Sequence, residues 1–299
     1  MFTNSAAVHA ALALLLPLAA LLPAFAVADG VTTELCKARF SDFDDKRIRR
    51  YPVDEDATYL NMHHCGLTDV EIFLDDFENL PNVDEIHLFA NNIEHINLAI
   101  LHSVPTLTKL FLHINKIREL PIFDQRSCPK LTELILGDNL VTELNNAMTF
   151  SACVKLQKIY LSRNKIDYIH PDIFASLPEL RKLYLSGNKI RYITNKLFER
   201  NVMLQNLQID NNRLTFLPEG FVTNLKKTGV NLKHFYFYDN PWHCACLVKL
   251  LVEVNREGVP YYKRDPFYPK AILDTKIMHY NGTRPECMHS QQKSCVCPN

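Results

Sequence analysis

The sequence predicts an α/β repeat solenoid of about eight turns, with a parallel β-sheet on its concave face and disulfide-bonded caps at both ends. Three observations predict this fold. An eleven-residue pattern recurs eight times between residues 57 and 240, at intervals of 24 to 28 residues. Six of the nine cysteines flank these repeats, and an apolar leader precedes them. With 47% hydrophobic and 22% charged residues, the 299-residue chain can bury a sizeable core.

The apolar leader occupies residues 1–28. It contains the run AALALLLPLAALLPAFAVA, whose small-residue AVA ending is typical of a cleaved signal peptide. A charged n-region is missing, so a membrane anchor remains the alternative, although Pro17 and Pro23 interrupt the run. No later stretch reaches the ~20 apolar residues of a membrane span. The mature chain is therefore expected to be secreted, with no transmembrane segment.

Residues 29–56 are the predicted amino-terminal cap. Cys36 precedes the first predicted strand, and Cys65 lies in the first turn. A disulfide between them would staple this end of the solenoid. In the alternative, Cys65 is a buried residue with a free thiol.

Residues 57–240 contain the repeats. The clearest copy is LRKLYLSGNKI at 180–190, which fits the template L-x-x-L-x-L-x-x-N-x-L. Its first half predicts a short parallel strand with inward leucines at period two, and its asparagine can satisfy backbone groups of the neighbouring turn. Cys65 replaces this asparagine in the first turn. Because one turn cannot cover its own leucines, the eight turns must stack around a shared core.

Residues 241–299 are the predicted carboxy-terminal cap, which starts in the segment NPWHCAC. The repeats and this segment resemble the extracellular leucine-rich repeat family over nearly the whole mature chain. The tail YNGTRPECMHSQQKSC is similar to the caps of insect secreted leucine-rich repeat proteins, including mosquito leucine-rich immune proteins. The resemblance implies a capping helix over LVKLLVEVNREG and two disulfides that join Cys244 and Cys246 to later cysteines, with Cys287 and either Cys295 or Cys297 as the candidates.

Three further cysteines have open assignments. Cys128 and Cys153 both stand three residues before the first leucine of consecutive turns, where stacking brings neighbours to roughly 5 Å. They form a disulfide or serve as small buried apolar residues. If Cys295 completes the cap, Cys297 is unpaired and is a candidate for an interchain disulfide in a dimer. Alternatively, Cys297 replaces Cys295 in the cap or is blocked by a small thiol.

The outward strand positions are the candidate ligand-binding surface. Positions three, five and seven of each template point out of the concave sheet. Apolar and aromatic residues form a diagonal track there with lysines beside it, which is typical of protein recognition surfaces. In the alternative, the tyrosines are present because they pack well on a sheet. The candidate residues are His87, Phe89, Phe111, His113, Ile135, Lys158, Tyr160, Lys182, Tyr184, Tyr236 and Tyr238.

Four histidines, His63, His64, His87 and His113, come from three adjacent turns. They suggest a pH-sensitive patch whose ligand affinity weakens below about pH 6.5. A metal site is not predicted, because no cysteine or carboxylate is placed to complete a tetrahedral set.

Several classes of function are not supported by the sequence. It has no H-E-x-x-H motif, no glycine-rich phosphate loop and no recognisable catalytic triad, so neither catalysis nor a cofactor is predicted. The 33 basic and 33 acidic residues balance, which gives no bulk attraction to nucleic acid. Asn281 in the sequon NGT is a candidate glycan acceptor.

The resemblance implies a secreted recognition protein of innate immunity that binds another extracellular protein or a microbial surface component. The alternatives are a matrix, adhesion or signalling-regulator protein without an immune role, and a receptor like the antigen receptors of jawless vertebrates. The threonine-rich stalk normal in those receptors is absent from this sequence.

Overall fold

The computed structural model describes residues 32–34, 57–68, 82–102 and 104–261, with the backbone alone for 32–34 and 99–100. All of them belong to one compact unit that begins at Val31. Several predicted features lie outside the described residues: the leader 1–28, most of the cap 29–56, Cys36, Asn281, Cys287, Cys295 and Cys297.

Within the described part of the chain, nine short strands form one parallel sheet in which each strand pairs with the next along the chain. Two shorter strands, Glu143–Leu144 and Tyr168–Ile169, pair in a separate parallel sheet. In chain order the strands are β1 (Thr32–Glu34), β2 (Tyr59–Asn61), β3 (Glu85–His87), β4 (Lys109–Phe111), β5 (Glu133–Ile135), β6 (Glu143–Leu144), β7 (Lys158–Tyr160), β8 (Tyr168–Ile169), β9 (Lys182–Tyr184), β10 (Asn206–Gln208) and β11 (His234–Tyr236).

The predicted solenoid is confirmed, because every template copy supplies a strand of the nine-stranded sheet. Their register is constant, so that residues at the same template position are direct partners, as Glu85 is with Lys109. β1 is an additional strand that the repeat pattern does not predict. The middle residue of each repeat strand faces the core and is 0% exposed: Leu60, Ile86, Leu110, Leu134, Ile159, Leu183, Leu207 and Phe235.

A ladder of asparagines links consecutive turns, as the template predicts. The side-chain oxygen of Asn139 accepts the Ile117 N–H at 3.0 Å, and its Nδ2 donates to the carbonyls of Leu112 at 2.9 Å and Leu136 at 3.1 Å. Each ladder amide therefore satisfies backbone groups of two turns inside the core. The same role is played by Asn91, Asn115, Asn164, Asn188, Asn212 and Asn240.

Opposite the main sheet, the chain returns through turns and short helices. These are α1 (Leu98–His102), a 3-10 helix (Asn195–Phe198) and α2 (Phe221–Lys227). A row of buried phenylalanines runs beneath them with ring centroids 6.0 to 6.3 Å apart, one ring from each successive turn. This row extends the core across the full width of the solenoid. Its members are Phe123, Phe150, Phe174, Phe198 and Phe221.

The helix α3 (Cys244–Arg256) lies over the carboxy-terminal end of the repeats. It buries Leu250, Leu251 and Val254 in the common core. Just before it, the Trp242 indole donates a hydrogen bond to the Phe237 carbonyl at 2.9 Å. The last turn is thereby covered by apolar side chains instead of water.

The two core cysteines whose assignment was open, Cys128 and Cys153, form a disulfide with a Cα–Cα distance of 5.2 Å. Cys65, Cys244 and Cys246 are also disulfide-bonded. The partners predicted for these three lie outside the described residues, so that pairing remains a prediction.

Position eight of every template copy has left-handed backbone geometry, with φ between 51° and 72°. Only Gly187 in the row is a glycine, and Ile114, at φ 56°, is β-branched. This conformation turns the chain out of each strand. It is strained for β-branched residues, which rarely occupy it. The row consists of His64, Ala90, Ile114, Asp138, Arg163, Gly187, Asn211 and Asp239.

Candidate functional site

The concave face presents the side chains that alternate with the buried strand residues. At its amino-terminal end, three rings from consecutive turns form a stack: His63, Phe89 and His113. Their centroids are 4.7 Å and 4.6 Å apart, with interplanar angles of 6° and 10°. We call these three residues the histidine–phenylalanine stack. It exists because template position seven holds a flat ring in three turns running.

A second set of rings lies beside this stack at template position five. The His87 ring is 4.3 Å from the ring of Phe111 and stacks on Tyr59 at 5.2 Å. The structure thus brings together four of the predicted candidates, His87, Phe89, Phe111 and His113. Phe111 is only 6% exposed, whereas His87 and Phe89 are half-buried.

The charge of this region is balanced internally. Glu85 accepts hydrogen bonds from His87 at 3.1 Å and from Lys109 at 2.5 Å. The hydrogen bond from His87 lowers the pKa of Glu85, burial opposes it, and the bond from Lys109 adds to it, so the pKa is about 2. The hydrogen bond to Glu85 in turn raises the pKa of Lys109.

His113 is 8% exposed, and its Nδ1 is buried without a hydrogen-bond partner. Burial lowers its pKa to about 4 from the ordinary 6.5, with Asp138 opposing and His87 and Arg163 adding to the shift. As the pH falls, the unfolded chain therefore protonates His113 before the folded protein does. The contribution of neutral His113 to stability is fully present above pH 6.5 and is lost as the pH drops toward 4. Consequently, His113 stays neutral near pH 6 and cannot supply the charge for a pH response there.

Two stacked tyrosines occupy the centre of the concave face. Tyr160 and Tyr184 lie with centroids 4.4 Å apart and planes 5° apart. Beneath them Glu133 is 5% exposed and accepts a hydrogen bond from Lys158 at 2.8 Å. Burial, followed by the charge of Glu133, raises the pKa of Tyr160, so its hydroxyl stays protonated. Ile135, the neighbouring candidate, is 3% exposed.

Lys182 differs from the other lysines of its row. Lys109 and Lys158 each pair with a glutamate of the preceding turn. Lys182 is exposed, and among the described residues no carboxylate lies within ion-pair distance of it. The concave face therefore carries an accessible cation beside Tyr184.

The carboxy-terminal end of the face is polar and aromatic. Asp210 is 7% exposed and accepts a hydrogen bond from the Ser186 hydroxyl at 2.6 Å, while burial raises its pKa. Tyr236 and Tyr238 lie edge to face with centroids 6.5 Å apart, and both are partly exposed.

The pairing of Glu133 with Lys158 was missed from the sequence, although the signal was present. Template position three reads Glu85, Lys109, Glu133, Lys158 in four successive turns. Alternating charges at one register of a parallel sheet are direct neighbours and will pair. Two of the lysines expected to border the ligand surface, Lys109 and Lys158, are therefore already paired with glutamates of this protein.

Two kinds of feature are absent from the described residues, a metal site and a membrane span. No three of their histidine, cysteine, aspartate and glutamate side chains are arranged to hold a metal ion. None of their helices combines the length and apolar composition that a membrane span requires.

Comparison with known proteins gives matches at the level of fold. The family model described as Leucine rich repeat matches residues 129–190. None of the curated proteins matches the sequence. A solved TLR13–ssRNA13 complex is similar with a TM-score of 0.55 and 26% identity, over 62% of this chain and 25% of that chain.

Two further solved structures are similar. One is the Toll–Spatzle complex of Drosophila, with a TM-score of 0.50 and 20% identity over 64% of this chain and 32% of that chain. The other is an internalin of Listeria monocytogenes, with a TM-score of 0.52 and 17% identity over 69% of this chain and 54% of that chain. This chain thus spans between a quarter and about half of the length of these three structures.

The asparagine ladder, the constant strand register and the family match at residues 129–190 agree with one another. On these grounds the chain folds as a leucine-rich repeat solenoid.

Proposed function

We propose that this chain is a secreted, non-catalytic recognition protein that binds a protein or microbial-surface ligand through its concave face, with a role in innate immunity. The observation that carries the proposal is the pair of ring stacks on that face. One is the histidine–phenylalanine stack, and the other is formed by Tyr160 and Tyr184.

Stacked rings suit recognition for an energetic reason. A ring that is already held by its neighbours loses little conformational freedom when a ligand covers it. Phe89, Tyr160 and Tyr184 are fixed in this way and remain partly exposed. Phe111 and Ile135 are buried, so we assign them the role of supporting the surface.

The charges of the face favour a particular ligand feature. Glu85, Lys109, Glu133 and Lys158 pair among themselves, which leaves Lys182 as an accessible cation in that row. A ligand carboxylate or phosphate placed beside Tyr184 would pair with Lys182. Even spacing along a repeat sheet does not converge side chains into a pocket, which supports binding and not catalysis.

The immune role rests on likeness alone. The Toll–Spatzle complex is described as a molecular hub in Drosophila development and innate immunity. At 20% identity this likeness shows the fold, so the immune role of this chain is our proposal. A matrix or signalling role would use the same surface. Induction of the transcript by infection favours immunity, whereas constant expression in connective or developing tissue favours the alternative.

Binding is tested with the secreted protein on a panel of killed Gram-negative bacteria, killed Gram-positive bacteria and yeast, and on an array of extracellular proteins. We expect at least one target to retain the protein. The Lys182→Glu/Tyr184→Ala variant should lose that retention, while Lys196→Glu, which changes an exposed lysine of the same turn away from the concave strands, should keep it. Retention that is equal in both variants would refute the concave site.

Export and pairing through Cys297 are tested together. Expression of the full sequence in insect cells should place the protein in the medium without residues 1–28. A dimer band on a non-reducing gel that disappears on reduction, and is absent in Cys297→Ser, supports the interchain disulfide. A monomer under both conditions refutes the interchain disulfide and leaves the concave site unaffected.

A further inference from the structure

A second surface lies beside the concave face, where three consecutive turns repeat a four-residue motif. The motif is Lys-Ile-Asp-Tyr at 165–168, Lys-Ile-Arg-Tyr at 189–192 and Arg-Leu-Thr-Phe at 213–216. Its second residue is 0% exposed in every copy, which anchors the segment to the core. The first and last residues project outward and are partly or fully exposed.

Backbone hydrogen bonds stack these motifs in register. The Lys189 N–H donates to the Ile166 carbonyl at 2.8 Å, and the Arg213 N–H donates to the Ile190 carbonyl at 2.9 Å. Residues at the same motif position in consecutive turns are therefore neighbours, and their backbones are separated by the ~4.8 Å that is typical of hydrogen-bonded strands.

The last motif position gives an exposed aromatic row. Tyr168 is 48% exposed and Tyr192 is 54% exposed, and Phe216 lies 6.1 Å from the Tyr192 ring. We call Tyr168, Tyr192 and Phe216 the lateral aromatic stripe. Exposed aromatic side chains that recur at one register of neighbouring turns commonly mark an interaction site.

Four cations border the lateral aromatic stripe: Lys165, Lys189, Arg191 and Arg213. Among the described residues, none of the four has a carboxylate within ion-pair distance. The counterpart of Arg191 three turns earlier behaves differently, because Arg118 pairs with Glu94 at 3.6 Å. The cations beside the stripe are thus available to a partner.

Among the turns whose residue at this position is described, the stripe is confined to these three. The same register position holds His95, Glu119 and Glu143 in the preceding turns, all of them exposed. The fold therefore accepts a charged residue at this position, and the aromatic residues are not required for packing. In particular, the motif Lys-Ile-Arg-Glu at 116–119 differs from 189–192 only in its last residue.

We propose that the lateral aromatic stripe and its four cations bind a short, extended, acidic segment of a partner protein. Its carboxylates would pair with the lysines and arginines while its apolar side chains cover the rings. Such a segment alternates its side chains about 7 Å apart on each side, so a few residues span the three turns. This surface is separate from the concave strands and does not depend on the concave site.

A polypeptide fits this surface better than a nucleic acid does. Asp167 lies inside the first motif, and Glu143 is the direct strand partner of Tyr168. Evenly spaced phosphates would be repelled by these two carboxylates, whereas a peptide can place a neutral residue opposite them.

The test uses fluorescence anisotropy at low ionic strength. The probe is a fluorescein-labelled twelve-residue peptide of alternating glutamate and tyrosine. Its charge-reversed counterpart of lysine and tyrosine and an oligothymidylate of twelve nucleotides are the comparison probes. We expect the acidic peptide to bind most tightly. Tyr192→Glu, which copies the motif at 116–119, should weaken its binding at least about tenfold, and Lys189→Glu should do the same.

The matched control is Glu119→Ala, which changes the exposed residue at the register position of Tyr192 in a turn outside the lateral aromatic stripe. It should leave the affinity unchanged. Equal melting temperatures show that the variants fold, and Lys189→Glu alone suffices if Tyr192→Glu does not. The proposal is overturned if the acidic peptide fails to bind, if the lysine peptide or the oligothymidylate binds more tightly, or if neither substitution changes the affinity.

Discussion

Removing one amide from the asparagine ladder gives a sharp test of how the turns are held together. In Asn139→Ala four hydrogen bonds disappear, but their loss is unequal. The Gly137 carbonyl loses a long bond of 3.3 Å and keeps one from the Ile114 N–H at 3.0 Å. The Leu112 carbonyl keeps a bond from Asn115 at 3.0 Å, and the Leu136 carbonyl keeps one from Asn164 at 2.9 Å. The Ile117 N–H loses its acceptor in a fully buried position.

The cost follows from this difference. The three bonds whose acceptors keep another donor together contribute about 2 kcal/mol, because the bond to Gly137 is long at 3.3 Å. One orphaned buried donor costs about 1 to 3 kcal/mol. The free energy of unfolding should therefore fall by about 3 to 5 kcal/mol in urea denaturation, with faster hydrogen exchange at the Ile117 amide. Asn145→Ala, at an exposed asparagine of the same turn, is the control and should change little. A loss below about 1 kcal/mol for Asn139→Ala would refute the ladder as a principal link between turns.

Three other predictions concern stability. Between pH 7.5 and pH 5 the wild-type protein should lose about 2 kcal/mol of unfolding free energy through His113, because only the unfolded chain protonates this residue in that range. His113→Phe should abolish this loss in urea titrations at the two pH values. An unchanged dependence of stability on pH would contradict the pKa of about 4. Ile114→Asn should raise the free energy of unfolding by about 1 kcal/mol through relief of its left-handed backbone, whereas the same change at the exposed Ile122 should not. Replacing Cys128 and Cys153 by alanine should cost about 3 kcal/mol, given their separation of 25 residues, and a thermal shift indistinguishable from wild type would argue against this disulfide as a stabilising link.

The strands were predictable because each repeat contains leucines two residues apart, followed at a fixed distance by an asparagine. Leu60 and Phe235 stand at opposite ends of the repeat array, yet each occupies the template position that predicts a buried strand centre. The left-handed row was not predictable, because His64, Ala90 and Ile114 share no conformational preference. At these positions the geometry of the whole turn overrides the local preference of the residue.

The candidate site was predictable in position but not in exposure. Alternation placed His87, Phe89 and Tyr160 on the concave face, where they lie. It could not show that Phe111 and Ile135 are almost completely buried, because burial depends on neighbours from several turns. The orphaned nitrogen of His113 is likewise a consequence of three-dimensional packing.

Oxidative footprinting tests the central claim, that the concave ring stacks contact the ligand, most directly. The secreted protein is exposed to hydroxyl radicals alone and bound to the particle or protein that retains it, and modified side chains are located by mass spectrometry. The account predicts protection of Phe89, Tyr160 and Tyr184, with unchanged modification of the exposed Met148 and Met203. Protection of Met148 and Met203 with unchanged reactivity of the three rings would contradict it.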